Sequence, residues 1–131
     1  MGSEELRMNN IMGKRNDSIL NTKSYGFAIR VVRLIQFLQK DKNEFVLSKQ
    51  ILRSGTSVGA CIRESEYGQS KADFINKLSI SLKEANESHY WISLLYDTDY
   101  IDQKMFNSLS ADCEELIALL TASIKTSKNN L

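Results

Sequence analysis

The sequence predicts an all-α fold, an antiparallel up-down-up-down four-helix bundle, and three observations predict it. None of the 131 residues is proline, so the commonest interruption of a helix is missing. Apolar residues recur at three- and four-residue intervals over four separate segments, which is the spacing of one helix face. The segments are joined by short polar stretches, which oblige consecutive helices to run antiparallel. The length suits one domain with a single core. The periodicity divides the chain into a flexible N-terminal segment over 1–22, the bundle over 23–126 and a flexible C-terminal tail over 127–131.

The first helix is expected from about Ser24 to Lys40, with Phe27, Val31, Leu34, Ile35 and Leu38 on one face. After the charged turn KDKNE, the second runs from about Phe45 to Glu66 and turns Leu47, Ile51, Gly55, Val58 and Ile62 inward. Gly68 suits its C-terminal cap. Ser70 with Asp73 reads as a capping box opening a third helix that reaches about Tyr96, its inner face made by Phe74, Leu78, Leu82, Ala85, Ile92 and Leu95. Asp102 is a good N-cap for the fourth, with Ile101 and Phe106 placed as a hydrophobic staple. Phe106, Leu109, Cys113, Leu116, Leu120 and Ile124 then follow the spacing of a bundle seam.

The centre of the second helix is unusual. Gly55 and Gly59 stand one turn apart among Ser54, Thr56, Ser57 and Ala60, although each interior glycine costs about 1 kcal/mol relative to alanine. Close approach of a neighbouring helix, in the same chain or in another subunit, offsets that cost. Folding the chain at Gly68 levels residues of the second and third helices whose numbers sum to about 136, so Gly55 meets Leu82, Arg53 meets Glu84 and Gln50 meets Glu87. The same arithmetic at the other turns levels Phe27 with Val58 and Ala85 with Cys113.

Composition narrows the function classes. No apolar run approaches the roughly 20 residues of a membrane span, and the polar N-terminus lacks a secretory core, so cytoplasmic residence is expected. Cys61 and Cys113 lack metal-type spacing and read as reduced thiols. A paired-helix carboxylate metal centre needs Glu-x-x-His motifs, whereas the single histidine, His89, has Asn86 three residues before it. No phosphate loop or nucleophile elbow is present. Neither an enzyme nor a cofactor is expected.

Charge is distributed more tellingly than its net value of +1. From Lys23 to Lys83 there are eleven Lys and Arg against five acids, a net +6; from Glu84 to Glu115 one Lys faces eight acids, a net −7. Arg30, Arg33 and Lys40 fall on an outer stripe of the first helix, and Lys49, Arg53 and Arg63 on one of the second, a candidate phosphate-binding surface. The alternative is that basic and acidic faces of successive subunits meet in a head-to-tail ring. The levelled Arg53 and Glu84 read either as an orienting salt bridge or as binding groups. Tyr90, Trp91, Tyr96 and Tyr100 read as core or seam residues.

The segments FAIRVVRLIQFL, FVLSKQILRSGTSVGACIRE and QSKADFINKLSISLKEANESHYWISLL, with the closing amphipathic helix, resemble the four-helix-bundle proteins encoded in intervening sequences of bacterial 23S ribosomal RNA genes. The likeness covers about residues 23–126 and rests on RSGTSVGA, QSKADF and KEANES followed by YW, in that order. It implies a bundle that associates into a ring, usually a pentamer, with no established enzymatic activity. A related bundle, the accessory variability protein of diversity-generating retroelements, forms a similar pentameric barrel and binds nucleic acid together with a reverse transcriptase. Arg53, Ser54, Ser57, Glu64, Ser70, Lys71, Phe74, Glu84, Glu87 and Trp91 match the family's recurrent types. Cys61 stands where relatives usually carry Asn, and His89 where they commonly carry an acid. Gly55, Gly59, Glu64, Glu84, Glu87 and Trp91 are the structural or interface candidates. The implied function is a non-catalytic homo-oligomer with RNA or other nucleic acid as partner, or alternatively a scaffold that binds another protein, with no membrane role.

Overall fold

The computed structural model describes residues 15–130, with side chains from Ile19 onward. It contains four helices: α1 (Arg15–Lys42), α2 (Leu47–Ser65), α3 (Lys71–Asp97) and α4 (Gln103–Asn129). Each packs on its neighbour in sequence, and α4 closes back on α1 through the thinnest of the four seams. The described residues therefore form the all-α antiparallel bundle that the periodicity predicts. The inward faces of the four segments make one core, centred on Phe27, Val31, Ile51, Val58, Leu78, Ile92, Cys113 and Leu116.

Two helices are longer than the apolar period places them. α1 begins at Arg15 rather than about Ser24, so residues 15–22 are helical and the bundle passes the boundary expected at 22; residues 1–14 lie outside the described range. The extension is anchored because Leu20 is buried in the core and the Asn21 side-chain amide donates to the Glu66 carboxylate. A single leucine seven residues before Phe27 is too sparse a signal to read as a period. α4 likewise runs to Asn129, beyond the tail boundary at 126, and Lys71 Nζ donates to the Asn130 carbonyl at 2.8 Å.

The glycines face α1. A Cβ on Gly55 would stand 2.7 Å from Val31 Cγ2, and one on Gly59 3.2 Å from Ser24 Oγ. The close approach inferred from the small residues is thus made within the chain, and its partner is α1, where the fold arithmetic had set Leu82 of α3 opposite Gly55. The α1–α2 register itself, Phe27 level with Val58, agrees with Val31 lying on Gly55.

The α2–α3 seam is instead built from serines. Ser81 Oγ donates to the Val58 carbonyl at 2.8 Å and Ser88 Oγ to Ser54 Oγ at 2.9 Å, all fully buried. These pairs lie three and six residues from the register expected from a fold at Gly68. A small hydroxyl that satisfies itself on a facing carbonyl lets helices approach at no unpaired polar cost. The α3–α4 register is as expected: Cys113 Sγ lies 3.1 Å from the Ala85 carbonyl.

Turn chemistry sets the ends. Ser70 accepts from the Asp73 amide at 3.1 Å and Asp102 from the Met105 amide at 2.8 Å, the two N-caps read from sequence. Gly68 has no positive φ; it is small because a Cβ would come within 3.2 Å of both the Phe74 nitrogen and the Ser65 oxygen. Asn43 and Asp99 take the left-handed conformation, φ 51° and 68°, which these side chains tolerate. α2 is capped by Glu44, in the turn read only as charged: its buried carboxylate accepts from the amides of Val46, Leu47 and Ser48 at 3.1, 2.9 and 2.7 Å.

Burial alone would raise the Glu44 pKa, but the three amides outweigh it and hold the carboxyl below its ordinary value. Its stabilisation is therefore present above the ordinary carboxylate range and is lost as pH falls through that range to the lowered value. Glu44→Gln should cost about 1 kcal/mol at neutral pH, the usual worth of an N-cap. Urea unfolding of both proteins from pH 7 downward should show that difference shrinking below about pH 4; a constant difference would assign it to shape instead of charge.

Candidate interaction surface

The six basic residues of the two expected stripes, Arg30, Arg33 and Lys40 on α1 and Lys49, Arg53 and Arg63 on α2, differ in the partners they meet. Arg30 turns toward α4, where Nη1 meets Asp112 Oδ2 at 2.6 Å and Nη2 meets Ser108 Oγ at 2.9 Å. Arg53 turns toward α3 and bonds Glu84 at 3.2 Å and Glu87 as well. Arg33 reaches only Gln36 on its own helix. Among the described residues, Arg33, Lys40, Lys49 and Arg63 have no acidic partner within 4 Å in the chain. Lys49 and Arg63 stand at opposite ends of α2, fourteen residues and about 21 Å apart at 1.5 Å per residue.

Arg53, Glu84, Glu87 and Trp91 do come together on the α2–α3 seam. Trp91 Nε1 donates to Glu87 Oε2 at 3.0 Å, and Tyr90 packs edge-on against the indole, centroids 5.1 Å apart. That hydrogen bond, opposed by partial burial and reinforced by Arg53, holds the Glu87 carboxyl below its ordinary range. Glu64 extends the same seam through a 3.5 Å pair with Lys77. The arrangement is a set of cross-helix ion pairs at the surface, each worth little to stability by itself, whose geometry pins the two helices in register.

The remaining candidates are not assembled into a reactive site. His89 Nε2 pairs with Glu114 Oε1 at 3.2 Å on the α3–α4 seam. Burial raises the Cys61 thiol pKa, with Glu64 and Glu84 adding to it, and burial pushes Cys113 to about 12, so neither is a ready thiolate. Tyr96 stacks on Phe106 with ring centroids 4.5 Å apart, as a core-edge residue. Tyr90 is exposed.

A surface that periodicity did not single out lies along α1. Tyr25, Ile29 and Val32 recur at four and three residues, on one stripe, yet are 60%, 47% and 41% exposed. Beside Tyr25 opens a groove of about 540 Å³ between α1 and α2, floored by Gly59 and lined by Ala28, Thr56, Ala60, Arg63 and Tyr67. Gly59 is why the groove exists, since a side chain there would stand over Ser24. The signal was available: GFAIRVVRLIQFL carries more apolar positions than one inward face can use. Tyr25, Ile29 and Val32 thus form one exposed apolar stripe beside an apolar groove, not a scattered set of exposed residues.

The fold and this surface define a class: an antiparallel four-helix bundle with an exposed apolar stripe on α1 and, among the described residues, no cluster of three or more His, Cys, Asp or Glu able to hold a metal. Among the described residues no helix is long and apolar enough to cross a membrane. The model of the family described as 23S rRNA-intervening sequence protein matches residues 16–122, and the chain belongs to that family. A crystal structure from Bacteroides thetaiotaomicron VPI-5482, of a protein with unknown function from the S23 ribosomal protein family, is 54% identical. It superposes with a TM-score of 0.83 over 84% of this chain and 98% of that one. No curated protein matches the chain.

Trp91 is the sole tryptophan, so its fluorescence reports the ion-pair cluster directly. The emission should titrate with a midpoint below the ordinary glutamate value of about 4.3. In Arg53→Ala the midpoint should move upward, because the guanidinium that favours ionised Glu87 is gone; an unmoved midpoint would remove Arg53 from the cluster.

Proposed function

We propose that the protein is a non-catalytic, cytoplasmic bundle that assembles with copies of itself through the α1–α2 face, forming the closed ring, usually a pentamer, that its family resemblance implies. The observation that carries this reading is the Tyr25–Ile29–Val32 stripe beside the groove over Gly59. Covering Ile29 and Val32 removes apolar area from water, worth about 1 kcal/mol for each half-exposed side chain. A groove meeting a stripe on the next subunit is a heterologous contact, the kind that closes rings.

A nucleic-acid role is the second reading, favoured by Arg33, Lys40, Lys49 and Arg63 lacking acidic partners among the described residues. Repetition around a ring would multiply these separated charges into an electrostatic footprint. Without RNA binding, the ring is a scaffold for another protein.

Light scattering tests both readings in one experiment. The wild-type chain, 14.9 kDa, should run as a multiple of that mass, whereas Ile29→Glu with Val32→Glu should lose the ring mass with its helical circular dichroism intact. A wild type that stays at single-chain mass contradicts the assembly. Adding a structured RNA at low salt should raise the wild-type mass, reversibly with salt, and should fail to do so for Arg33→Glu with Lys40→Glu; a ring indifferent to RNA leaves the scaffold.

A further inference from the structure

The end of the bundle that carries both the α1–α2 and α3–α4 turns combines features that the lateral face does not use. Because the helices alternate in direction, these two turns lie side by side at one end. The α1–α2 turn presents Lys40, Lys42 and Lys49, and its acids are Asp41 and Glu44, of which Glu44 is buried against the amides of α2. At its tip Phe45 and Val46 are 50% and 72% exposed. Glu44 fixes them there, since its carboxylate holds the Val46 amide. Two adjacent apolar side chains at an ordered turn, with neither packed on the core, are costly to leave in water.

The α3–α4 turn has the opposite character. Asp97, Asp99 and Asp102 face a single nearby lysine, Lys104. Between the two turns lies a cleft of about 410 Å³ of mixed lining, in which Phe37, Tyr96, Tyr100 and Met105 alternate with Lys42, Asp99, Asp102 and Gln103. Lys42 lies on the α1 side of this cleft, its ammonium 5.8 Å from the centroid of the Phe37 ring.

We propose that this end is a self-complementary docking surface for a second copy of the chain. Related by a two-fold axis, each molecule places Phe45 and Val46 in the cleft of the other, and each lysine-bearing turn meets the partner's aspartates. A contact of this kind uses the same patch on both molecules and closes after two. Charge selects the occupant: four lysines against five acids across the two turns give the end a slight negative balance, which does not attract a polyanion such as RNA or an anionic lipid surface. Separation of the charges into one basic and one acidic half suits a partner with the same halves reversed. The surface is distinct from the α1–α2 groove, so the docking pairs whatever lateral assembly exists, a single chain or a ring.

The test is a charge swap read by native mass at low salt. One variant carries Lys40→Glu with Lys49→Glu. The other carries Asp97→Lys with Asp99→Asn, asparagine being tolerated at the left-handed position 99. Each variant alone brings like charges together and should run at half the wild-type mass, while an equimolar mixture restores opposite charges at both contacts and should recover the full mass. Recovery also shows that both variants are folded. Phe45→Ser with Val46→Ser should halve the mass without altering the lateral assembly. Equal mass for wild type and both charge variants, a mixture that stays at half mass, or full mass in the serine variant overturns the proposal.

Discussion

The fit of Val31 against the bare backbone of Gly55 is the contact on which the rest of the molecule depends. α1 touches α4 only along the thinnest seam of the bundle, so its position is set chiefly by α2. There, a Cβ at Gly55 would come within 2.7 Å of the Val31 methyl, a distance no packed pair adopts. A β-branched valine has little rotamer freedom in a helix and cannot swing aside. With α1 seated this closely, its inward face is filled by Phe27, Val31 and Leu34, Tyr25, Ile29 and Val32 are left outside, and Arg30 is delivered to Asp112 of α4.

The fold was legible because periodicity is a strong signal where a helix has one inward face. Helices three and four, their caps at Ser70 and Asp102, and the Ala85–Cys113 level all follow from it. Partner assignment was less legible. Small residues in α2 announce that something comes close, but spacing alone does not say which neighbour; α1 takes the glycines, while α3 takes Ser54 through Ser88. Serine reads as polar in a hydrophobic pattern, so a seam made of buried, mutually satisfied hydroxyls is invisible to periodicity. The Glu44 cap was hidden for a related reason, since a glutamate in a lysine-rich turn looks like one more surface charge until its oxygens are seen on three amides.

The candidate surface was legible only in part. The cross-helix meeting of Arg53 with Glu84 was read from register, and the structure adds Glu87 and Trp91 to it. Sequence counts charges without showing their partners, and of the six basic residues Arg30 and Arg53 meet acids inside the chain. That redistribution, with the exposed apolar residues of α1, is the ground on which contact between copies is proposed ahead of phosphate binding.

The central claim, that one glycine–valine contact positions α1, is tested most directly by a double-mutant cycle of Gly55→Ala and Val31→Ala in urea unfolding. Alanine at 55 gains about 1 kcal/mol of helix propensity, yet overpacking costs about 1–3 kcal/mol. The account predicts that Gly55→Ala destabilises the wild type and stabilises the Val31→Ala background, with a coupling well above 0.5 kcal/mol, the ordinary limit of additivity. Additive effects, with Gly55→Ala stabilising in both backgrounds, would contradict it.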